Sequence, residues 1–218
     1  MNLRLLRLKW EKAKRNPEYF LFNFYWTLDQ HDKEHPIKRL PRKEYLVRTI
    51  KILDSEDRIV IMKSRQMMLT WVVCGYCLWD AMFKIGRSVF YVSRKEDIAN
   101  EMVNRNKFSY QQLRGKVPVE WIPVSSNYGD KVGAFCKLDF PQNHSEIKGL
   151  PQGSDSLRHF CASIIFSDEM AFQEQSKEIF VGSKPTLDGG GKFIGVSTAN
   201  GKDGAGKFFY QVCHDIGG

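Results

Sequence analysis

From residue 58 onward, short apolar runs rich in β-branched residues alternate with longer segments of helical character. The runs have the length and composition of strands buried on both faces of a parallel sheet. These strands are predicted at residues 58–62, 88–92, 162–166 and 192–197. Helices are predicted at 71–83, from about 93 to 113, within 176–187 and at 207–213. The alternation predicts an α/β sheet protein.

Two parts of this region carry local signals of their own. Ser93 and Glu96 have the spacing of a capping box, in which a hydroxyl and a carboxylate each satisfy a backbone donor at the start of a helix. That helix is expected to reach about Leu113. Residues 117–153 break into short runs with Pro and Gly, such as 134–140, which predicts a β-rich insertion.

The segment before residue 58 has a different pattern. Leucines and basic residues at near-helical spacing predict an amphipathic helix over 3–15. The aromatic segment 19–26 is expected to pack on the core, and 31–41, with its charges and two prolines, is interpreted as a loop. We therefore expect residues 1–40 to form a helical extension packed on a domain of residues 41–218.

Positive charge is concentrated in the N-terminal quarter of the chain. Residues 1–51 contain 13 Lys or Arg against 6 Asp or Glu, whereas the remaining residues contain 20 against 19. Such an excess fits DNA phosphate, whose affinity for proteins comes largely from Lys and Arg that displace counterions. It fits a solvated helix face equally well.

Composition argues against a membrane protein and against metal binding by cysteine. No stretch approaches the roughly 18 uninterrupted apolar residues of a membrane helix, and Arg4, Arg7 and Lys9 interrupt the N-terminal leucines. We expect a protein that stays in a cytoplasm and does not bind membranes. The five cysteines lack the second close pair of a zinc site. Cys74 and Cys77 have the spacing of a redox pair, but their apolar helix favours a role as core filler.

Two loops compete for the role of a phosphate-binding loop. Such a loop needs a preceding strand, exposed N–H groups, a lysine, and a hydroxyl for Mg²⁺ at the start of a helix. Residues 201–208 fit the pattern G-x-x-x-x-G-K-[ST] except at the last position, where Phe208 cannot bind Mg²⁺. Only ten residues follow Phe208, too few for a downstream acidic strand. We interpret this loop as a decoy.

The other candidate loop has a poorer pattern and a better context. Met68 and Leu69 stand where the second glycine and the lysine of the pattern belong. However, the strand 58–62 precedes the loop, a helix follows at Thr70, and an acidic strand lies downstream. The loop consists of Lys63, Ser64, Arg65, Gln66, Met67, Met68, Leu69 and Thr70.

The acidic strand ends in two adjacent carboxylates, Asp168 and Glu169. The carboxyl end of a buried strand is where open α/β sheets bind their ligands. We expect Asp168 to hold Mg²⁺ through its water shell, and Glu169 to orient and deprotonate an attacking water. These are the two tasks of phosphoryl transfer to water.

The sequence Lys-Ser-Arg-Gln-Met, followed by Thr70 and Trp71, resembles the variant phosphate loop of phage terminase large subunits. The resemblance implies that residues 63–70 bind the phosphates of ATP, with Lys63 replacing the lysine missing at Leu69. Thr70 is then the Mg²⁺ hydroxyl. Met68 departs from the family, because a side chain there restricts how the backbone curls.

Two further segments carry the same resemblance. Residues 154–158 resemble the segment that presents an arginine finger, which implies that Arg158 acts in trans on a neighbouring subunit. Without the resemblance, a surface salt bridge is the simpler role for Arg158. Residues 197–200 resemble the motif that couples hydrolysis to DNA movement, and residues 201–208 then form its loop. The coupling residues are Ser197, Thr198, Ala199 and Asn200.

The resemblance implies a P-loop NTPase of the ASCE or RecA-like type, with a mostly parallel sheet flanked by helices and a basic N-terminal helical segment. The resemblance also implies ATP and Mg²⁺ as cofactors, and a function in driving double-stranded DNA into a procapsid. Implied partners are the DNA, further copies in a ring, the portal protein and the small terminase subunit.

The same resemblance implies a location in the host cytoplasm, transiently docked on the procapsid portal. The adenine-reading glutamine of the family is not found at 41–45, and the family's C-terminal nuclease domain is not in this chain. Two alternatives stay open. One is another nucleic-acid-dependent ATPase of the helicase type, and the other is a degenerate module that binds DNA or partners without hydrolysis.

Overall fold

A mostly parallel sheet forms the centre of the fold. The computed structural model describes residues 3–127, 137–150 and 161–214. Within them the six-stranded sheet has the order β3-β8-β7-β4-β6-β5, and β1 and β2 form a separate hairpin. The strands are β1 (Trp26–Leu28), β2 (Ile37–Arg39), β3 (Arg58–Met62), β4 (Ser88–Val92), β5 (Lys137–Phe140), β6 (Ser145–Leu150), β7 (Ile164–Asp168) and β8 (Lys192–Ser197).

The pairing of these strands confirms the predicted α/β architecture. Each neighbouring pair from β3 to β6 is parallel, and β5 pairs antiparallel with β6 as the predicted β-rich insertion. The bounds of β3, β4 and β8 are those expected from the sequence. β7 ends two residues later than predicted, so Asp168 is its last residue and pairs with Val196 of β8.

Helices surround this sheet. They are α1 (Leu3–Arg15), α2 (Pro17–Asn23), α3 (Glu44–Ser55), α4 (Leu69–Phe83), α5 (Glu96–Arg114), α6 (Ser176–Gly182), α7 (Lys184–Asp188) and α8 (Gly206–His214). Among the described residues, no helix combines the length and the apolar character needed to cross a membrane.

Several local expectations were wrong. The capping box at Ser93 is not formed, because α5 begins at Glu96 and its N-cap residue Lys95 makes no side-chain cap bond. The helix expected within 176–187 is two helices, and Pro185 lies in the first turn of the second. The segment 31–41 is not only a loop, since it contains β2, which pairs with β1.

Helix α4 is the most buried helix of the core. Twelve of its residues are buried, and its apolar residues extend around the whole circumference rather than along one stripe. Contacts with β4, β6 and β7 cover one side, and contacts with α1, α2, α3 and α5 cover the others. Cys74 and Cys77 lie in this interior, and burial raises the pKa of the Cys74 thiol to about 12, which confirms their role as core filler.

Two tryptophans join the N-terminal helices to α4. Trp79 of α4 donates from Nε1 to the carbonyl of Ala13 at 2.9 Å, which ties α4 to the end of α1. Trp10 of α1 is fully buried, makes edge contacts with Phe24 and Phe83, and donates to the carbonyl of Trp121 at 3.1 Å. The basic N-terminal helix is therefore part of the same core as the sheet.

Replacing Trp10 with Ala should destabilise the whole protein. We expect a loss of about 3–5 kcal/mol in the free energy of unfolding, because the change removes a buried aromatic side chain and leaves a cavity. Urea denaturation followed by circular dichroism measures this loss. Leu8→Ala is the matched control on the same helix, since Leu8 is 64% exposed. A loss in the Trp10 variant as small as in the control would contradict the shared core.

Candidate active site

The loop between β3 and α4 occupies the position that the sequence predicted for a phosphate loop. Its first residue, Lys63, is fixed by a bond from its N–H to the carbonyl of Ser197 at the end of β8 (2.9 Å). Gln66 and Met68 both have positive φ, at 61° and 57°. Met68 therefore adopts the left-handed conformation that glycine favours, and the loop curls despite the side chain.

The first turn of α4 is open to an anion. The N-cap residue Met68 makes no side-chain cap bond, so the N–H groups of this turn are not satisfied by a cap. The N–H of Ser64 faces the thioether of Met67 at 3.3 Å, which is a weak acceptor. Uncapped N–H groups and the positive end of the helix dipole together favour an anion such as phosphate.

Two side-chain pairs bring the loop and the acidic strand together. The ammonium of Lys63 bonds a carboxylate oxygen of Glu169 at 2.9 Å. The hydroxyl of Thr70 donates to the carboxylate of Asp168, with oxygen separations of 3.2 and 3.3 Å. These four residues are about a hundred positions apart in sequence and meet because β3 and β7 both end at the same edge of the sheet.

Asp168 is an unusual carboxylate, because it is only 5% exposed. Burial raises the pKa of its side chain from 3.8 to about 6, and the nearby Lys63 ammonium opposes this rise. A buried carboxylate beside a threonine hydroxyl is an oxygen donor set of the kind that Mg²⁺ prefers. The residues present therefore fit a magnesium ion, whose charge would offset the cost of burying the ionised carboxylate.

Asp168→Asn should stabilise the protein at alkaline pH when metal is absent. In the folded state the Asp168 carboxyl keeps its proton up to about pH 6, whereas its ordinary pKa is 3.8. The carboxyl therefore contributes to the stability of the folded state fully below pH 4, and this contribution is lost as the pH rises through 6. Removing the ionisable group should recover stability of the order of 3 kcal/mol above that range.

Thermal unfolding in EDTA at pH 4 and pH 8 measures the difference. We expect a higher melting temperature for Asp168→Asn at pH 8 and a much smaller difference at pH 4. Asp188→Asn, at the end of α7, is the exposed control. Equal shifts at both pH values would contradict a buried titrating carboxyl.

The segment after β8 contacts the acidic turn directly. The hydroxyl of Ser197 accepts from the N–H of Ala171 at 3.0 Å and lies 3.5 Å from a carboxylate oxygen of Glu169. Asn200 donates from its side chain to the carbonyl of Ala171 at 2.9 Å. Thr198 and Glu169 line one cavity, and Ala199 is exposed. A movement of residues 197–200 would therefore change the position of Glu169.

Two cavities flank the Lys63–Glu169 pair. The larger, of about 870 Å³, is lined by Lys63, residues 66–71, the β1–β2 turn at 28–31 and one face of α5. Its size lies within the range of about 300–1,000 Å³ that small-molecule sites occupy. The smaller, of about 250 Å³, is lined by residues that include Glu169, Arg65 and Arg94.

Sequence reasoning missed several residues of the larger cavity. Trp71 and Phe108 form an aromatic wall, and the guanidinium of Arg105 lies 5.1 Å from the centre of the Trp71 ring. Arg105 and Phe108 are three positions apart on α5, so they share a helix face. That spacing was visible in the sequence, but nothing in it indicated that this face meets Trp71.

The other predicted segments have different outcomes. The loop 201–208 lines neither of the two cavities, and its glycines Gly201 and Gly204 have positive φ in the turn before α8. Arg158 and the segment 154–158 lie outside the described residues, so the arginine-finger prediction stays a prediction.

Known proteins of similar structure show which fold this is. No protein-family model matches the chain. The large terminase of bacteriophage HK97 is similar in structure, with a TM-score of 0.64 and 11% identity over 93% of this chain and 40% of that one. The large terminase ATPase domain of Thermus phage P74-26 matches with a TM-score of 0.51 and 16% identity over 79% of this chain and 69% of that domain.

The chain has the fold of a phage large terminase ATPase domain. It spans less than half of the HK97 large terminase. The predicted likeness to phage large terminases is confirmed at the level of the fold, as is the predicted α/β class with a mostly parallel sheet. At the carboxyl edge of the sheet in this terminase fold, the loop after β3, the acidic end of β7 and the segment after β8 come together.

Proposed function

We propose that this chain is the ATP-hydrolysing motor domain of a viral terminase large subunit, which drives double-stranded DNA into a procapsid. The observation that carries the proposal is the pair of contacts Lys63–Glu169 and Thr70–Asp168 beside the larger cavity. They bring together a phosphate-binding lysine, a magnesium hydroxyl, a magnesium carboxylate and a general base. The fold likeness supports the same reading.

Each residue of the loop and the acidic pair has a role in this proposal. The ammonium of Lys63 and the N–H groups of residues 64–69 bind the phosphates of ATP. Thr70 and Asp168 hold Mg²⁺, which neutralises charge on the phosphates when bound. Glu169 orients the attacking water and accepts its proton. Arg158, from a neighbouring subunit of a ring, stabilises charge in the transition state.

The contact between Lys63 and Glu169 gives the site a resting state. The Lys63 side chain is 9% exposed and its charge is matched by the Glu169 carboxylate. A phosphate group is a stronger partner for Lys63, since it carries more charge than a carboxylate. Lys63 then turns from Glu169 to the phosphate, and Glu169 becomes free to act as a base. Ser197 stays beside Glu169 and links this change to the coupling segment, residues 197–200.

The ATPase proposal is tested by Mg²⁺-dependent phosphate release from ATP. Glu169→Gln should keep ATP affinity and lose at least about 100-fold in kcat, because it removes the base and keeps the shape. Lys63→Ala should weaken both ATP binding and turnover. Glu174→Gln, an exposed residue near the turn, is the control. Binding of ATP without hydrolysis by the wild-type chain, even when concentrated, would favour the degenerate module instead.

The DNA contact is proposed to use the exposed basic residues of α1. Arg4, Arg7 and Lys9 are exposed on this helix, while its apolar residues Leu6 and Trp10 face the core. The helix is thereby held in a fixed orientation with its cations in solvent.

The portal protein and the small terminase subunit are the further proposed partners, in the host cytoplasm at the procapsid portal.

Charge reversal at Arg4, Arg7 and Lys9 should flatten the salt dependence of DNA binding. Each phosphate contact contributes about 0.9 to the slope of log affinity against log salt, so the triple variant should lose up to about three such contributions. Fluorescence anisotropy with duplex DNA at several salt concentrations measures the slope. Reversal of the exposed Lys177, Lys184 and Lys207 makes the same change in net charge and should leave the slope nearer to wild type. Equal slopes in both variants would place the contact elsewhere.

A further inference from the structure

The turn that carries the acidic pair is held in a conformation that its sequence does not favour. Glu169 has φ 52° and ψ 44°, in the left-handed region, and it precedes the 3₁₀ turn Met170–Phe172. For a residue with a side chain this conformation is unfavourable, because Cβ comes too close to the following carbonyl oxygen. Such a conformation persists only where its surroundings fix it, so the contacts that hold this turn determine where both carboxylates point.

Gln173 makes two of these contacts. Its side chain is fully buried, and its amide nitrogen donates to the carbonyl of Asp168 at 2.8 Å and to the hydroxyl of Ser167 at 3.0 Å. The side chain thus reaches back over the 3₁₀ turn to the end of β7. It closes the turn at the residue that carries the magnesium carboxylate.

Ser93 reaches the same carbonyl from another strand. It follows β4, which pairs in parallel with β7 so that Val92 lies opposite Ser167. The buried hydroxyl of Ser93 donates to the carbonyl of Asp168 at 3.3 Å. The carbonyl of Asp168 therefore accepts bonds from two side chains on two different elements, and its peptide plane is fixed from both sides.

Gln173 is a costly residue for this position if only stability matters. Its amide oxygen is buried and has no hydrogen-bond partner among the described residues. An unsatisfied buried polar atom lowers the stability of the folded state, and an apolar residue of similar size would avoid this loss. The donor group of Gln173 is thus kept at a cost, a pattern expected at functional sites.

We propose that Gln173, assisted by Ser93, is a positioning residue that holds Asp168 toward the metal and Glu169 toward the attacking water. The catalytic role of the two carboxylates rests on the proposed function, whereas the hold on the turn does not. Gln173 touches neither the nucleotide nor the metal in this scheme, and it acts through the backbone of Asp168.

The test uses Gln173→Leu, which keeps the approximate size and removes both donors. We expect kcat to fall about 10- to 100-fold, as for other losses of supporting contacts at metal and catalytic sites. The Mg²⁺ concentration for half-maximal turnover should rise several-fold, while the Kd for ATP stays within about twofold because no residue of the phosphate loop is replaced. Ser93→Ala should act in the same direction and more weakly. Gln175→Leu, two residues away and exposed, is the control.

Amide hydrogen exchange over residues 169–172 of the nucleotide-free protein gives a readout that does not need turnover. Gln173→Leu should speed this exchange about tenfold, and Gln175→Leu should leave it unchanged. Unchanged exchange in Gln173→Leu would overturn the proposal. A lower kcat together with a lower melting temperature and an unchanged Mg²⁺ requirement would also overturn it, because that combination indicates a merely structural role. If the wild-type chain has no ATPase activity but Gln173→Leu still speeds exchange, Gln173 holds the turn as proposed and the proposed function is rejected.

Discussion

Helix α4 is apolar around its whole circumference, and it therefore has to be covered on every side. The sheet covers one side, and the helices α1, α2, α3 and α5 cover the rest. This requirement explains why a basic N-terminal segment belongs to the core. It also fixes the start of α4, and with it Thr70, against the edge of the sheet. A helix that is so completely enclosed cannot tilt freely, so the loop before it has a rigid support.

The edge of the sheet where we propose the active site combines this rigid support with contacts that the proposed reaction exchanges. β8 lies between β3 and β7, and the carboxyl ends of the three strands bring Lys63, Glu169 and Ser197 within reach of one another. The pair Lys63–Glu169 is made of two charged groups that each have another partner in the proposed reaction. Around them, uncharged hydrogen bonds hold the backbone. The site thus separates groups that change partners from groups that keep their positions.

Much of the fold and part of the site could be predicted from the sequence. Three strands of the central sheet have the predicted bounds, because buried parallel strands are short apolar runs that end at polar loops. Thr70, Asp168 and Glu169 were also predicted from their order and context, and Lys63 from the resemblance to terminase phosphate loops. The hydroxyl of Ser93 was assigned to its own helix, but it bonds Asp168 on a neighbouring strand. Local spacing cannot distinguish these two partners, and for Gln173 no local pattern existed at all.

The conformation of Met68 has a consequence for how such loops are recognised. The usual pattern has glycine at this position, and the glycine is commonly interpreted to mean that no side chain can be accommodated there. In this chain the backbone has φ 57° with a methionine in place, and the helix after it still begins with an uncapped turn. The left-handed backbone that glycine usually supplies is supplied here by a methionine, at a modest energetic cost. A sequence motif that specifies glycine does not match loops of this kind, whereas a description by backbone dihedral angles includes them.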